Sequence, residues 1–123
     1  MVCRLLVLSR FQNLWVVIDD CSTDNTVLLI NEYVLVDQRV KLYISNKNSG
    51  AGAARNLGLT KASYSVIAFL DADDIWHFDK LRLQYDFMIK NNAGISHTSY
   101  SFINEDGMQA PGSVKVSKFV GRN

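Results

Sequence analysis

At 123 residues the chain is long enough for one compact domain with a hydrophobic core and too short for two comfortable ones. Its 48% hydrophobic and 20% charged residues are ordinary for a globular protein, and a net charge of +1 without a basic run gives nucleic acid no support as a partner. No apolar run reaches transmembrane length, and Leu5-Leu6-Val7-Leu8 is too short for a signal peptide and lacks a small-residue cleavage site. The chain is therefore expected to be soluble, or peripheral to a membrane at most.

Short apolar strands alternate with helix-length segments in the order β-α-β-α-β-α, followed by a hairpin, which predicts an α/β fold around a mostly parallel sheet. Residues 1 to 11 read as the end of a helix feeding the first strand, so a sheet of this type would lack its opening unit. Val16-Val17-Ile18 forms that first strand and runs into Asp19-Asp20-Cys21-Ser22-Thr23-Asp24. Thr23 and Asp24 offer N-cap oxygens for a helix from about Asp24 to Leu35, on which Val27, Leu28, Ile30 and Tyr33 recur at helical spacing. Val40 to Ile44 is a second strand. The loop Ser45 to Gly50 then leads into an alanine-rich helix reaching roughly Thr60.

Val66 to Leu70 is a fully apolar strand that opens onto Asp71-Ala72-Asp73-Asp74. Asp79 can cap the next helix, with Leu81, Leu83, Tyr85, Met88 and Ile89 as its apolar face and Gly94 at its end. Ile95 to Ile103 alternates imperfectly as a strand, and Glu105-Asp106-Gly107 carries an Asp-Gly hairpin turn. No repeat or linker divides the chain, so residues 1 to 123 are expected to form a single domain or part of one.

Asp19, Asp20, Asp24, Asp71, Asp73 and Asp74 supply six of the chain's twelve acids, in two clusters that each follow a buried apolar strand. Open α/β folds bind ligands at the carboxyl edge of the sheet, and carboxylates gathered there repel one another unless a divalent cation or a donor-rich ligand joins them. Asp71 and Asp73, one residue apart on a tight loop, suit Mg²⁺ or Mn²⁺ completed by a substrate phosphate. Asp-x-Asp alone usually marks a solvated turn; the apolar strand in front and the second cluster give it weight.

Asp19 and Asp20 can accept hydrogen bonds from a nucleobase or ribose, and they exceed what a capping turn needs. Asn48 to Gly58 combines small residues with Arg55, whose guanidinium can fork onto phosphate or base oxygens. It is neither a Walker loop nor a dinucleotide fingerprint. Cys3 and Cys21 form no CxxC pair, which fits a reducing cytosol, and His77 and His97 lie outside any zinc pattern.

Together these segments resemble the donor-binding half of a family 2 glycosyltransferase with the GT-A fold. Ile18-Asp19-Asp20-Cys21-Ser22-Thr23-Asp24 is similar to the family's first acidic motif. Asn48, Gly50, Ala54, Arg55, Asn56 and Gly58 match its middle signature, and Phe69-Leu70-Asp71-Ala72-Asp73-Asp74, with Trp76 and Lys80-Leu81, its metal motif. The likeness spans about residues 11 to 107, and Thr98 to Gly107 is similar to bacterial enzymes that build surface polysaccharide.

The resemblance implies that Asp19, Asp20, Ser22, Arg55 and Asp71 hold the nucleotide-sugar. It also implies that Asp73, with Asp71, ligates Mn²⁺ or Mg²⁺ and that Asp74 supports them. The expected partners are a UDP-sugar donor and a glycan or lipid-linked glycan acceptor, the reaction is an inverting transfer, and the place is the cytoplasm at the inner face of the cell membrane. The family's opening strand and its catalytic base fall outside the matched motifs, and Glu105-Asp106 is assigned to the hairpin turn rather than to the base. Two other readings stand beside this one: a truncated, non-catalytic nucleotide-binding remnant, and a phosphatase with Asp71 as nucleophile, for which Ile75 is an imperfect match.

Overall fold

The computed structural model describes residues 2–8 and 13–114, with side chains from residue 14 onward. These residues form β1 (Val2–Leu8), β2 (Asn13–Asp19), α1 (Thr26–Val36), β3 (Val40–Ile44), α2 (Gly50–Lys61), β4 (Val66–Asp71), α3 (Lys80–Asn91), β5 (Tyr100–Ile103) and β6 (Gln109–Val114). They fall into two compact units, Met1–Ile75 and Trp76–Asn123.

The first unit is an α/β layer on a four-stranded sheet in the order β3-β2-β1-β4. β2 and β3 pair in parallel, while β1 lies between β2 and β4 and runs antiparallel to both. β2, β3 and β4 consequently share one direction, and the expectation of an α/β fold with mostly parallel strands holds. The N-terminal expectation does not. Residues 2–8 form a strand rather than a helix end and fill the interior slot beside β2. A short apolar run such as Leu5 to Leu8 fits a buried strand and a buried helix equally well by periodicity. What decides here is pairing on both sides, which satisfies every backbone group of an interior strand. Residues 9–11 lie outside the described residues.

The core is built where β2 is most β-branched. Val16, Ile18 and Ala54 are buried to 1% exposure or less, and Leu14, Tyr43, Leu57, Ala62, Tyr64 and Ile67 pack around them. Ala54 and Gly58, one turn apart, are the buried positions of α2, and their lack of bulk lets the helix backbone approach the sheet closely. Helix α1 starts two residues later than expected. Asp24 does serve its start, since its carboxylate accepts the Thr26 N–H at 3.0 Å, although Asn25 occupies the cap position.

The second unit contains α3 and the β5–β6 hairpin. Asp79 stands at the cap position of α3, but its carboxylate accepts from Arg82 instead of from the helix backbone. The helix ends at Asn92, in the left-handed conformation at φ 49°, two residues before the glycine expected to end it. Only Tyr100–Ile103 of the expected Ile95–Ile103 strand is extended and paired; Ile95 is 82% exposed and has no apolar face to join. The expected turn is present, closed by the Gly107 N–H donating to the Asn104 carbonyl at 2.9 Å.

Candidate active site

The carboxyl ends of β2 and β4 reach the same edge of the sheet. In the β1 register Val2 stands opposite Asp19 and Cys3 opposite Asp71, so the two acidic strand ends are two strand spacings apart, on the order of 10 Å. Loops leaving both ends carry the remaining acids. The two clusters read from sequence as one locus are thus brought to one edge.

Asp19 and Asp20 are both buried, at 0% and 1% exposure, in spite of their charge. A buried carboxylate is tolerated when N–H donors replace lost water. Asp19 Oδ2 accepts the Ser22 N–H at 3.1 Å, and its own carbonyl accepts the Ser45 N–H at 2.8 Å, which ties the end of β2 to the loop after β3. Asp19 Oδ1 is buried and has no hydrogen-bond partner among the described residues.

Asp20 is fully engaged. Its two oxygens accept the Ser49 N–H at 3.0 and 3.1 Å and the Gly50 N–H at 2.7 Å. Those donors are the cap and first residues of α2, a helix with neither a side-chain cap of its own nor an acidic residue in its first turn. Asp20 therefore caps α2 from 29–30 residues away, and its charge faces the positive end of the helix dipole. The Ser49 N–H holds the Asp20 carboxyl below its ordinary 3.8; burial opposes this and the Gly50 N–H adds to it.

Backbone geometry around this contact is specialised. Cys21 adopts φ 59°, which re-aims the chain directly after Asp20, and its Sγ donates to the Ser45 carbonyl at 3.0 Å. Gly50 sits at φ 82° with nothing within 4 Å of where a Cβ would stand, so conformation and not space requires glycine there. Gly50→Ala is expected to cost about 1 kcal/mol, whereas Gly52→Ala, in open space on the same helix, is expected to stabilise by about 0.5 kcal/mol. Urea midpoints of the two variants, compared with the parent chain, check the opposite signs.

On the β4 side, Arg55 of α2 donates from one terminal nitrogen to both Asp71 oxygens at 2.8 Å, and the two side chains are 38% and 40% exposed. The Asp74 N–H donates to the Asp71 carbonyl at 3.2 Å, closing a turn that leaves Asp73 and Asp74 exposed. Helix α2 thereby joins both acidic strand ends, at its first turn through Asp20 and at its second through Arg55. Sequence reasoning named Asp19, Asp20, Ser22, Arg55 and Asp71, and all lie at this edge. It missed the backbone N–H groups of Ser49 and Gly50 as the partners of Asp20; the glycine after a helix-capping serine was the available signal.

Among the described residues no group of three or more His, Cys, Asp or Glu side chains converges to hold a metal ion. Asp71 and Asp73 offer hard oxygen donors, the type Mg²⁺ and Mn²⁺ take, in the small number that a shell completed by phosphate requires.

With this geometry in place, comparison with known proteins is decisive. The profile of Glycosyl transferase family 2 matches residues 14–117, from the start of the buried β2 core through the hairpin. The chain belongs to that family. It is 41% identical over 92 residues to TuaG of Bacillus subtilis (strain 168), a glycosyltransferase whose name assigns it provisionally to teichuronic acid biosynthesis; 75% of this chain and 36% of that one are covered.

It is 43% identical over 100 residues to an uncharacterised glycosyltransferase of Haemophilus influenzae, covering 80% and 40% of the two chains. It is also 41% identical over 104 residues to the Escherichia coli UDP-Glc:alpha-D-GlcNAc-diphosphoundecaprenol beta-1,3-glucosyltransferase WfgD, covering 85% and 38%. The chain thus spans well under half the length of these relatives. No solved structure gives a significant match. The family match begins after β1, so that strand lies outside the shared region.

Proposed function

We propose that this glycosyltransferase family 2 chain carries the nucleotide-sugar site of an enzyme that transfers a sugar from UDP to a hydroxyl of a glycan or lipid-linked glycan in surface polysaccharide synthesis, with inversion. One observation supports this above others. α2 ties the acid-bearing ends of β2 and β4 to a single sheet edge, where a nucleoside diphosphate can meet both.

In this reading the buried Asp19 Oδ1, which lacks a partner among the described residues, accepts from the base or ribose. A neutral N–H or O–H donor there would relieve an uncompensated buried acceptor. Asp20 holds the rim of the site rigid through Ser49 and Gly50, with Ser22 bracing Asp19. Arg55 supplies positive charge toward the diphosphate, and Asp73, with Asp71, would hold Mn²⁺ or Mg²⁺. A divalent cation there, when bound, supplies Lewis-acid stabilisation of the departing diphosphate. The UDP preference draws on WfgD, whose name specifies a UDP-glucose donor and a diphosphoundecaprenol-linked acceptor. No helix of the described residues is long and apolar enough to cross a membrane. The phosphatase reading, with Asp71 as nucleophile, leaves the buried Asp19 and Asp20 without a role in the chemistry.

Calorimetric titration with UDP tests the reading. Binding is expected to strengthen with Mn²⁺, and Asp73→Ala is expected to weaken the Mn²⁺-dependent binding by about tenfold or more, the scale of losing a metal-site interaction. Equal UDP affinity with and without Mn²⁺, unchanged in Asp73→Ala, would remove the metal assignment; absence of UDP binding under either condition would remove the donor site.

A further inference from the structure

Building on the donor-site reading above, we propose that Arg55 is a positioning residue that makes cation binding at the Asp71–Asp73 turn follow nucleotide binding. Its guanidinium occupies the Asp71 carboxylate until a diphosphate offers it a second anion. The contact is direct, 2.8 Å from one nitrogen to each Asp71 oxygen, so a cation approaching Asp71 meets a positive charge already seated on its intended ligand. The pair is also exchangeable. With 38% and 40% of the two side chains exposed, it is solvent-screened, and an ion pair of this kind shifts an equilibrium by only about two- to fivefold.

Neither partner needs the other to hold its place. Ala54 and Gly58 seat α2 against the sheet beside Arg55, and the Asp71–Asp74 turn is closed by a backbone hydrogen bond independent of the Asp71 side chain. Asp73 is exposed two residues beyond Asp71. A cation arriving with a diphosphate brings anionic oxygens for Arg55 at the same moment that it needs Asp71. The guanidinium can then turn from carboxylate to phosphate, a geometry its planar fork accepts equally well. Such exchange is a coupling between two ligands and is reciprocal: UDP strengthens Mn²⁺ binding by the factor by which Mn²⁺ strengthens UDP binding.

Titrations of the chain with Mn²⁺ alone and with Mn²⁺ in saturating UDP, for the parent chain, Arg55→Gln and Arg55→Lys, test this. Arg55→Gln is expected to bind Mn²⁺ alone about two- to fivefold more tightly than the parent, and the enhancement of Mn²⁺ binding by UDP is expected to shrink. Adding Asp71→Asn should cancel the gain, and Arg55→Lys, which keeps the charge, should stay near the parent. A purely structural role for Arg55 predicts instead weaker Mn²⁺ binding in both variants and would overturn the proposal. So would Mn²⁺ affinity in Arg55→Gln equal to the parent's while UDP still binds, and in that case the donor site stands. A parent chain that binds neither UDP nor Mn²⁺ overturns the donor site and this inference together. Should Arg55→Gln fail to fold, the Arg55 side-chain NMR resonance in the parent decides: a shift on adding UDP without metal supports the exchange, and an unmoved resonance overturns it.

Discussion

Asp20→Ala is expected to lower the melting temperature by roughly 5–10 °C and to abolish measurable UDP binding in the presence of Mn²⁺. The side chain makes no contact with solvent, yet it satisfies the two backbone donors at the start of α2. Removing it leaves those N–H groups without a carboxylate and withdraws the negative charge from the positive end of the helix dipole. The start of α2 would loosen from β2, and Arg55, on the following turn, would lose its fixed approach to Asp71. Asp20→Asn should recover part of the loss, because one amide oxygen still accepts while the amide nitrogen opposes the donors.

The same contact predicts an acid-side signature. Because folding lowers the Asp20 carboxyl from its ordinary 3.8, its contribution is fully present above about pH 4 and is lost progressively as pH falls through the folded-state value. Asp24 and Asp37 are lowered as well, so the parent chain alone cannot isolate Asp20; the difference between parent and Asp20→Asn melting curves from pH 7 to pH 2 can. A difference that narrows below pH 4 is the expected outcome, and one independent of pH would argue against the cap.

Ile18→Ala should cost about 2–5 kcal/mol, the largest loss expected from any single truncation among the described side chains of the first unit. Ile18 has no exposure at all and lies in the cluster with Val16 and Ala54, directly before the acidic pair. Trimming it removes three carbons from the best-packed point of the sheet and frees the strand end that holds Asp19 and Asp20. Since small domains are stable by only about 5–15 kcal/mol, a large share of the margin would go. Chemical denaturation at two wavelengths checks it. Val17→Ala, at 6% exposure and outside that cluster, should cost less.

Much of this was written into local sequence. The β-branched runs Val16 to Ile18 and Val66 to Leu70 specify strands, Val40 to Ile44 appears with the expected bounds, and the alternation of strands and helices sets the fold class. The acidic residues stand at strand ends because an apolar strand that must be buried can shed charge only where it leaves the sheet. Long-range information was hidden. Nothing near Asp20 in sequence announces that its oxygens belong to backbone N–H groups at Ser49 and Gly50; the Ser-Gly step at the start of α2 marks a helix start without naming its distant partner. Nor does Asp71 name Arg55, which lies 16 positions earlier. For Val2 to Leu8 the missing information was the neighbours, because a strand of uncertain period is fixed only by what flanks it.

β1 alone is hydrogen-bonded to both β2 and β4. If it peels away, two raw edges appear together, facing each other across a slot one strand wide, and any extended peptide of either polarity could zip into it. The vulnerability of the first unit to strand exchange and self-association is therefore concentrated at its amino-terminal strand.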